Sequence, residues 1–130
     1  SNMMFYKNKI ALIDSQDAVL GNPAYDLASL IDDVRIKTSN SFKSNILKVF
    51  LSKFKYKNES QFINDFEILS VLRNLKIIGI FTRLAKRDKK RKYLKLIPYA
   101  WKLIDNRIKN NTNFHDLKNF LQKNPRIKKI

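Results

Sequence analysis

Apolar residues recur along this chain in two rhythms. Near its start, Met3–Tyr6 and residues 9–13 are short runs of β-branched and aromatic side chains separated by Lys7 and Asn8, which predicts a β-hairpin. The second run is continuously apolar after Lys9 and stops at Asp14, so it predicts a buried strand that delivers a carboxylate at its C-terminal end. A polar stretch then runs from Ser15, Gln16 and Asp17 through Gly21, Asn22 and Pro23 as a loop. Beyond it the spacing turns helical. Leu27, Leu30, Ile31 and Val34 share one face, with Asp26 placed to cap it. A second amphipathic helix is expected over residues 41–55, with Phe42, Ile46, Val49, Phe50 and Phe54 on the apolar side and lysines opposite. Asn58 followed by Gln61 resembles a capping box and opens a long periodic stretch to about Leu84. Gly79 interrupts that stretch. A glycine in mid-helix costs roughly 1 kcal/mol relative to alanine, so it is read as permitting close packing against a neighbour. After a basic run, residues 93–108 form a further helix in which Pro98 predicts a kink or a break. Asn113, with Asp116 three residues on, starts a last helix that ends near Pro125.

Composition narrows the fold and the setting. Two glycines and three prolines in 130 residues are too few turn residues for an all-β fold. The expectation is a single domain over residues 3–130, mainly α with an N-terminal β-hairpin, divided into the hairpin and its terminal aspartate (3–14), a loop (15–25) and a helical part (26–124). Ser1 and Asn2 ahead of Met3 resemble a tag scar. Lys and Arg number 27 against 11 Asp and Glu, a formal charge of +16, which favours an anionic partner. Lysine, asparagine and isoleucine are spread evenly, however, as an A+T-rich coding sequence produces without selection for binding, and this discounts the charge. The absence of cysteine excludes disulfides, thiolate zinc sites and a cysteine nucleophile, and is compatible with the cytoplasm. No apolar stretch approaches the roughly 18 residues of a membrane span, so a soluble protein with no membrane partner is expected.

Candidate chemistry concentrates between Asp14 and Asp26, where Asp14, Asp17 and Asp26 bring carboxylates into an otherwise basic protein. A strand-end carboxylate suits Mg²⁺, which commonly takes one or two protein carboxylates and fills its other positions with water and substrate phosphates. Spacing alone equally allows Asp14 to end a strand and cap a turn. The basic run 86–92 also has two readings. Its lysines and arginines could bind phosphate backbones, with Tyr93, Tyr99 and Trp101 adding stacking, or it is a solvated connection between helices whose neighbouring rings pack a helix face. No helix-turn-helix, ribonucleoprotein motif or Gly-rich loop accompanies it, so nucleic acid is not the favoured partner. His115, the sole histidine, fits a surface or helix-start position.

The string Ile10-Ala-Leu-Ile-Asp-Ser-Gln-Asp-Ala-Val-Leu-Gly-Asn-Pro-Ala-Tyr-Asp-Leu-Ala-Ser-Leu-Ile-Asp-Asp-Val-Arg35 closely resembles a motif of the aminoglycoside phosphotransferase and choline kinase superfamily. The family form is Ile-Asp-Phe-Gln-Asp-Ala, a short Gly- and Pro-containing loop, then Tyr-Asp-Leu-Ala-Ser-Leu. The subgroup it is most similar to is the bacterial phosphotransferases related to Ser/Thr protein kinases, among them kinases of N-acetylmuramate and N-acetylglucosamine. A second block, Arg73-Asn-Leu-Lys-Ile-Ile-Gly-Ile-Phe-Thr-Arg-Leu84 followed by Arg87-Asp88, Tyr93-Leu94 and Pro98, resembles the C-terminal helices of that subgroup in order.

The resemblance implies the C-terminal part of a protein-kinase-like α+β fold. It also implies phosphoryl transfer from ATP to a hydroxyl of a sugar-like or amino-sugar acceptor, with Mg²⁺ and nucleotide present in the complete enzyme. Asp14 matches the metal-binding aspartate of that family. Asp26 matches the aspartate of Tyr-Asp-Leu-Ala-Ser, which steadies the catalytic loop, while Gln16 and Asp17 match positions assigned to support of the site. Ser15 stands where the family has phenylalanine. A nucleotide lobe with its lysine, and a His-x-Asp catalytic loop followed by Asn, do not precede Asp14 in this sequence. The expectation is therefore a C-terminal piece that follows the catalytic loop, carries no catalytic Asp, is inactive alone and is completed by an upstream kinase segment. The hairpin and the Leu27 face, left uncovered, would then promote self-association. The alternatives are a non-catalytic helical remnant and a basic nucleic-acid-binding module.

Overall fold

The computed structural model describes residues 3–14, 19–109 and 111–129, the last without its side chain. Two strands, β1 (Met3–Tyr6) and β2 (Lys9–Leu12), pair antiparallel with Met3 opposite Leu12 and Phe5 opposite Ile10. Lys7 and Asn8 between them both hold positive φ, 47° and 58°, as the two-residue turn that matches strand twist requires. Among the described residues five α-helices follow: α1 (Ala24–Ile31), α2 (Asn40–Phe54), α3 (Glu59–Lys86), α4 (Ile97–Ile108) and α5 (His115–Lys123). Short 3-10 segments at Arg91–Leu96, Thr112–Phe114 and Pro125–Lys129 lead into α4, lead into α5 and close the chain. The expected fold class, mainly helical with an N-terminal hairpin, is the one found.

Local chemistry accounts for most of the helix boundaries. Ser39 caps α2 by accepting a hydrogen bond from the Phe42 amide, and Asn58 caps α3 by accepting one from the Gln61 amide. Pro98 falls at the start of α4. There its missing donor and fixed φ are tolerated, so residues 93–108 divide into a 3-10 segment and a helix. α5 starts later than expected. Asn111 accepts from the Asn113 amide, while Asn113 donates to Asn64 on α3.

The long helix α3 carries two apolar clusters. Its first half packs Phe62 and Phe66 against Ala24, Leu27, Ala28 and Ile31 of α1 and Leu51 of α2. Its second half packs Val71, Ile78 and Phe81 against Ile97, Trp101 and Ile104 of α4, with Phe114 and Leu121 closing that cluster. Ile31 belongs to the first cluster and Val34 to the second, so Asp32 and Asp33 lie in the chain between them. Asp32 is 1 % exposed. One of its oxygens accepts from Lys43 Nζ at 2.8 Å, and the other from Ser70 Oγ at 2.6 Å and from Arg107 Nε and Nη2 at 3.0 and 2.9 Å. A single carboxylate thus ties α1, α2, α3 and α4 together. Burial alone would push its pKa up, but the Arg107 charge, the hydrogen bonds from Lys43 and Ser70 and the Lys43 charge together hold it below the ordinary carboxylate value.

Four expectations about burial and packing require correction. β2 is not buried, because the two-stranded sheet leaves Ile10 and Leu12 exposed and only Ala11 half-covered. α2 turns only part of the expected face inward: Ile46 and Phe50 pack against the first cluster and Lys43 and Leu51 are buried, whereas Phe42, Val49 and Phe54 are exposed, because the side of the helix facing Asp32 must carry its cation. Gly79 is exposed, and a Cβ built on it would meet nothing within 4 Å, so close packing does not explain it. The Leu27 face is covered by the first cluster, which leaves Tyr25 and Leu30 as the exposed side of α1.

Candidate functional site

Asp14 is exposed and lies two residues beyond β2, with φ of 67°. A non-glycine residue in the left-handed region is uncommon, though aspartate tolerates it better than most, and here it turns the chain off the strand at the carboxylate. Gln16 and Asp17, matched to supporting positions of the motif, lie outside the described residues, as does Ser15.

The next described segment is anchored by a residue that the sequence reading passed over. Asn22 Oδ1 accepts from the Ala24 amide at 3.0 Å, and its Nδ2 donates to Asp65 of α3 at 2.8 Å. Asn22 therefore opens α1 and pins the loop to the long helix. Asp26 does not cap that helix; it sits exposed within the first turn, where a carboxylate is favoured by the helix dipole. The signal for Asn22 was its place directly before Pro23, since Asn-Pro favours turn initiation.

At the other end of α1, Asp33 accepts from Arg35 Nε at 2.9 Å and Nη2 at 2.6 Å, as well as from the Arg35 amide. The hydrogen bond to the Arg35 side chain holds Asp33 below the ordinary carboxylate value against partial burial. Arg73 of α3, the first residue of the second resemblance block, is half-buried beside this pair, and burial lowers its pKa. The structure thus gathers Asp33, Arg35 and Arg73 near one end of α1, while Asp26 and the Asn22 anchor belong to the other.

No group of three or more His, Asp or Glu that could hold a metal ion occurs among the described residues. Asp14 is a single exposed carboxylate just beyond β2, and Mg²⁺ commonly takes only one or two protein carboxylates, with water and substrate phosphates filling its other positions. The rings proposed for stacking are committed elsewhere. Trp101 is buried, and Tyr93 stacks on Phe81 with ring centroids 5.1 Å apart. The basic run is an exposed connection from the end of α3 to the 3-10 segment that begins at Arg91, and His115 is an exposed residue at the start of α5. No helix is long and apolar enough to cross a membrane among the described residues.

Comparison with known proteins supports the resemblance. Residues 1–59 match the model of the phosphotransferase enzyme family. The chain is 34 % identical over 97 residues to the N-acetylmuramate/N-acetylglucosamine kinase of Caulobacter vibrioides, covering 75 % of this chain and 27 % of that protein. It is 34 % identical over 103 residues to the kinase of the same name from Neisseria meningitidis serogroup B, covering 75 % and 31 %. To the one from Pseudomonas aeruginosa it is 25 % identical over 130 residues, covering 95 % and 38 %. The chain thus spans about a third of the length of these curated relatives.

Proposed function

From the phosphotransferase family pattern in residues 1–59, we propose that this chain supplies the metal-ligand strand end and the helical part of an ATP-dependent phosphotransferase. Its acceptor is a hydroxyl of a sugar or amino sugar. The observation that carries the reading is the coincidence of the family match with the placement of Asp14, an exposed carboxylate just beyond a strand at a sharp backbone turn. The relatives named as N-acetylmuramate/N-acetylglucosamine kinases support the choice of acceptor class.

In this reading Asp14 would hold the cation through its carboxylate. Mg²⁺, when bound, neutralises charge on the transferring phosphoryl group. Asn22, Asp65 and the first turn of α1 fix where the motif loop enters the helical body. Asp26, exposed at that helix start, is free of the core and suited to steady an adjoining loop through backbone amides, with Gln16 and Asp17 in support. The catalytic Asp and the phosphate-contacting lysine come from a further kinase segment. Phosphoryl transfer depends on positioning and electrostatic stabilisation by all of these groups together. The reading places the protein in the cytoplasm, where nucleotide and sugar acceptors meet.

The test joins the 130-residue chain to the nucleotide lobe and catalytic loop of a relative, covalently or as a second polypeptide, and assays transfer from ATP to N-acetylglucosamine and N-acetylmuramate. The chain alone is expected to be inactive and the joined protein active. Asp14→Ala should abolish that activity, and Asp14→Asn should be nearly as damaging because it keeps the shape and loses the charge. Transfer by the unaided chain, or full turnover by the joined Asp14→Ala protein, overturns the assignment.

A further inference from the structure

Beside the Asp32 knot lies a cleft of about 270 Å³ that is lined by neither Asp14, Asn22 nor Asp26. Asn40, Lys43 and Ser44 of α2 line it from one side, and Asn106 and Arg107 of α4, with Lys109 just beyond that helix, from another. Phe66, Leu47 and Leu103 supply apolar wall. The lining is unbalanced in charge: Lys43, Arg107 and Lys109 face it as cations, and Asp32 is the one acid among the lining residues.

Asp32 is already saturated. Both of its oxygens accept hydrogen bonds, the second from three donor atoms. The cations are not. Lys43 Nζ carries three hydrogens and makes one hydrogen bond to a described residue, and the Arg107 fork spends Nε and Nη2 on Asp32 while its other terminal nitrogen makes no such bond. Lys43 is nevertheless held inside, its side chain only 10 % exposed, and Arg107 is held over the Phe66 ring at 4.7 Å. Asp32 offsets one of these charges, which leaves the lining with a net excess of positive charge and with unused donors on Lys43 and Arg107.

We propose that this cleft binds a phosphate group, free or as a monoester, through Lys43, Arg107 and Lys109 with the polar side chains of Asn40, Ser44 and Asn106. A dianion matches the excess of positive charge. Tetrahedral oxygens can also accept from donors on α2 and α4 together, where a planar carboxylate reaches fewer of them. The site is separate from the strand-end Asp14, and the proposal does not rest on phosphoryl transfer.

The test is a ¹H–¹⁵N NMR titration of the chain with inorganic phosphate at ionic strength held constant with sodium chloride. Saturable shifts are expected at the amides of Asn40, Lys43, Ser44, Asn106, Arg107 and Lys109. Lys109→Gln, which spares the Asp32 knot, should weaken binding about tenfold, the worth of one charge-assisted hydrogen bond. Lys95→Gln, an exposed lysine outside the cleft, should change it little. Tighter binding of glycerol 3-phosphate than of inorganic phosphate identifies an ester ligand, and weaker binding identifies the free ion. Shifts scattered over the lysines of this basic chain, equal losses in the two variants, or equal binding of acetate overturn the proposal.

Discussion

The hairpin and the Asp32 knot invert the usual expectation for their residue types. Phe5 and Leu12 on the sheet are 75 % and 77 % exposed, whereas an aspartate is buried between helices with a lysine and a partly exposed arginine. Hydrophobicity favours burial only where another surface is available, and the knot has four helices around it while Ile10 and Leu12 of the hairpin stay exposed among the described residues. Charge opposes burial only until it is matched. Asp32 is matched on both oxygens, so removing it should do more harm than removing any apolar side chain of the sheet.

The largest effect is expected from Asp32→Ala, which strands Lys43 and Arg107 among apolar residues. Breaking a buried pair by deleting one partner costs about 3–5 kcal/mol, so thermal or urea unfolding should show a severe loss of stability. An Asp32→Ala variant as stable as the parent would remove the knot as an organising feature. Asp14→Ala should lower the melting temperature far less, since Asp14 is exposed and the substitution gives up the aspartate's tolerance of a left-handed turn.

Acidification probes the same knot more gently. The Asp32 carboxyl has its pKa depressed in the folded state, so its contribution to stability is fully present above its unfolded value, about 4. That contribution disappears as pH falls through the lower folded value. The melting temperature should therefore drop steeply on the acid side, and Asp32→Asn should flatten that limb while lowering the plateau at neutral pH. Parallel acid limbs in the two proteins would assign the pH dependence to other carboxylates.

Local rules made the hairpin, the Asn58 cap, the break at Pro98 and the order of the helices legible, because each depends on residues within a turn or two of one another. The resemblance through Tyr25-Asp26-Leu27-Ala28 also lies in one continuous stretch and was readable as such. The knot was not. Its partners stand 11, 38 and 75 residues from Asp32, beyond any local window, and a lysine at position 43 reads as solvent-facing until its carboxylate is located. Periodicity gave α2 its extent and, through Ile46 and Phe50, only part of its inward face for the same reason. The one available hint was the pair Asp32-Asp33 directly after the apolar Leu27–Ile31 face, where a helical period turns one of the two inward. In the candidate site, Asp14 was legible as a strand-end carboxylate. The role of Asn22 was obscured by Asp26, which looks like a cap by residue type but sits one turn too late.

Gly79 offers a smaller effect on the helical side. It lies in mid-α3 with ordinary negative φ and open space where a side chain would go. Gly79→Ala should therefore stabilise the chain by roughly 0.5–1 kcal/mol by reducing the freedom of the unfolded state. Destabilisation would mean that this face of α3 is covered in solution.

The smallest change in stability, and the most informative about the hairpin, is expected from its outer face. Strand register places Met3 opposite Leu12 and Phe5 opposite Ile10, so these four side chains share one face, while Met4, Tyr6, Lys9 and Ala11 share the other. The first face is apolar throughout and exposed, which makes it the natural seat of self-association. Replacing Phe5 and Leu12 together by serine should shift unfolding by no more than about 0.5 kcal/mol, because surface changes away from packed features seldom exceed that. The same pair should lower the association seen by sedimentation at high protein concentration. A large loss of stability would show that the sheet packs against the helical body in solution. A parent chain that stays strictly monomeric would show that this face does not drive association, and the contrast between the exposed sheet and the buried knot would then rest on stability alone.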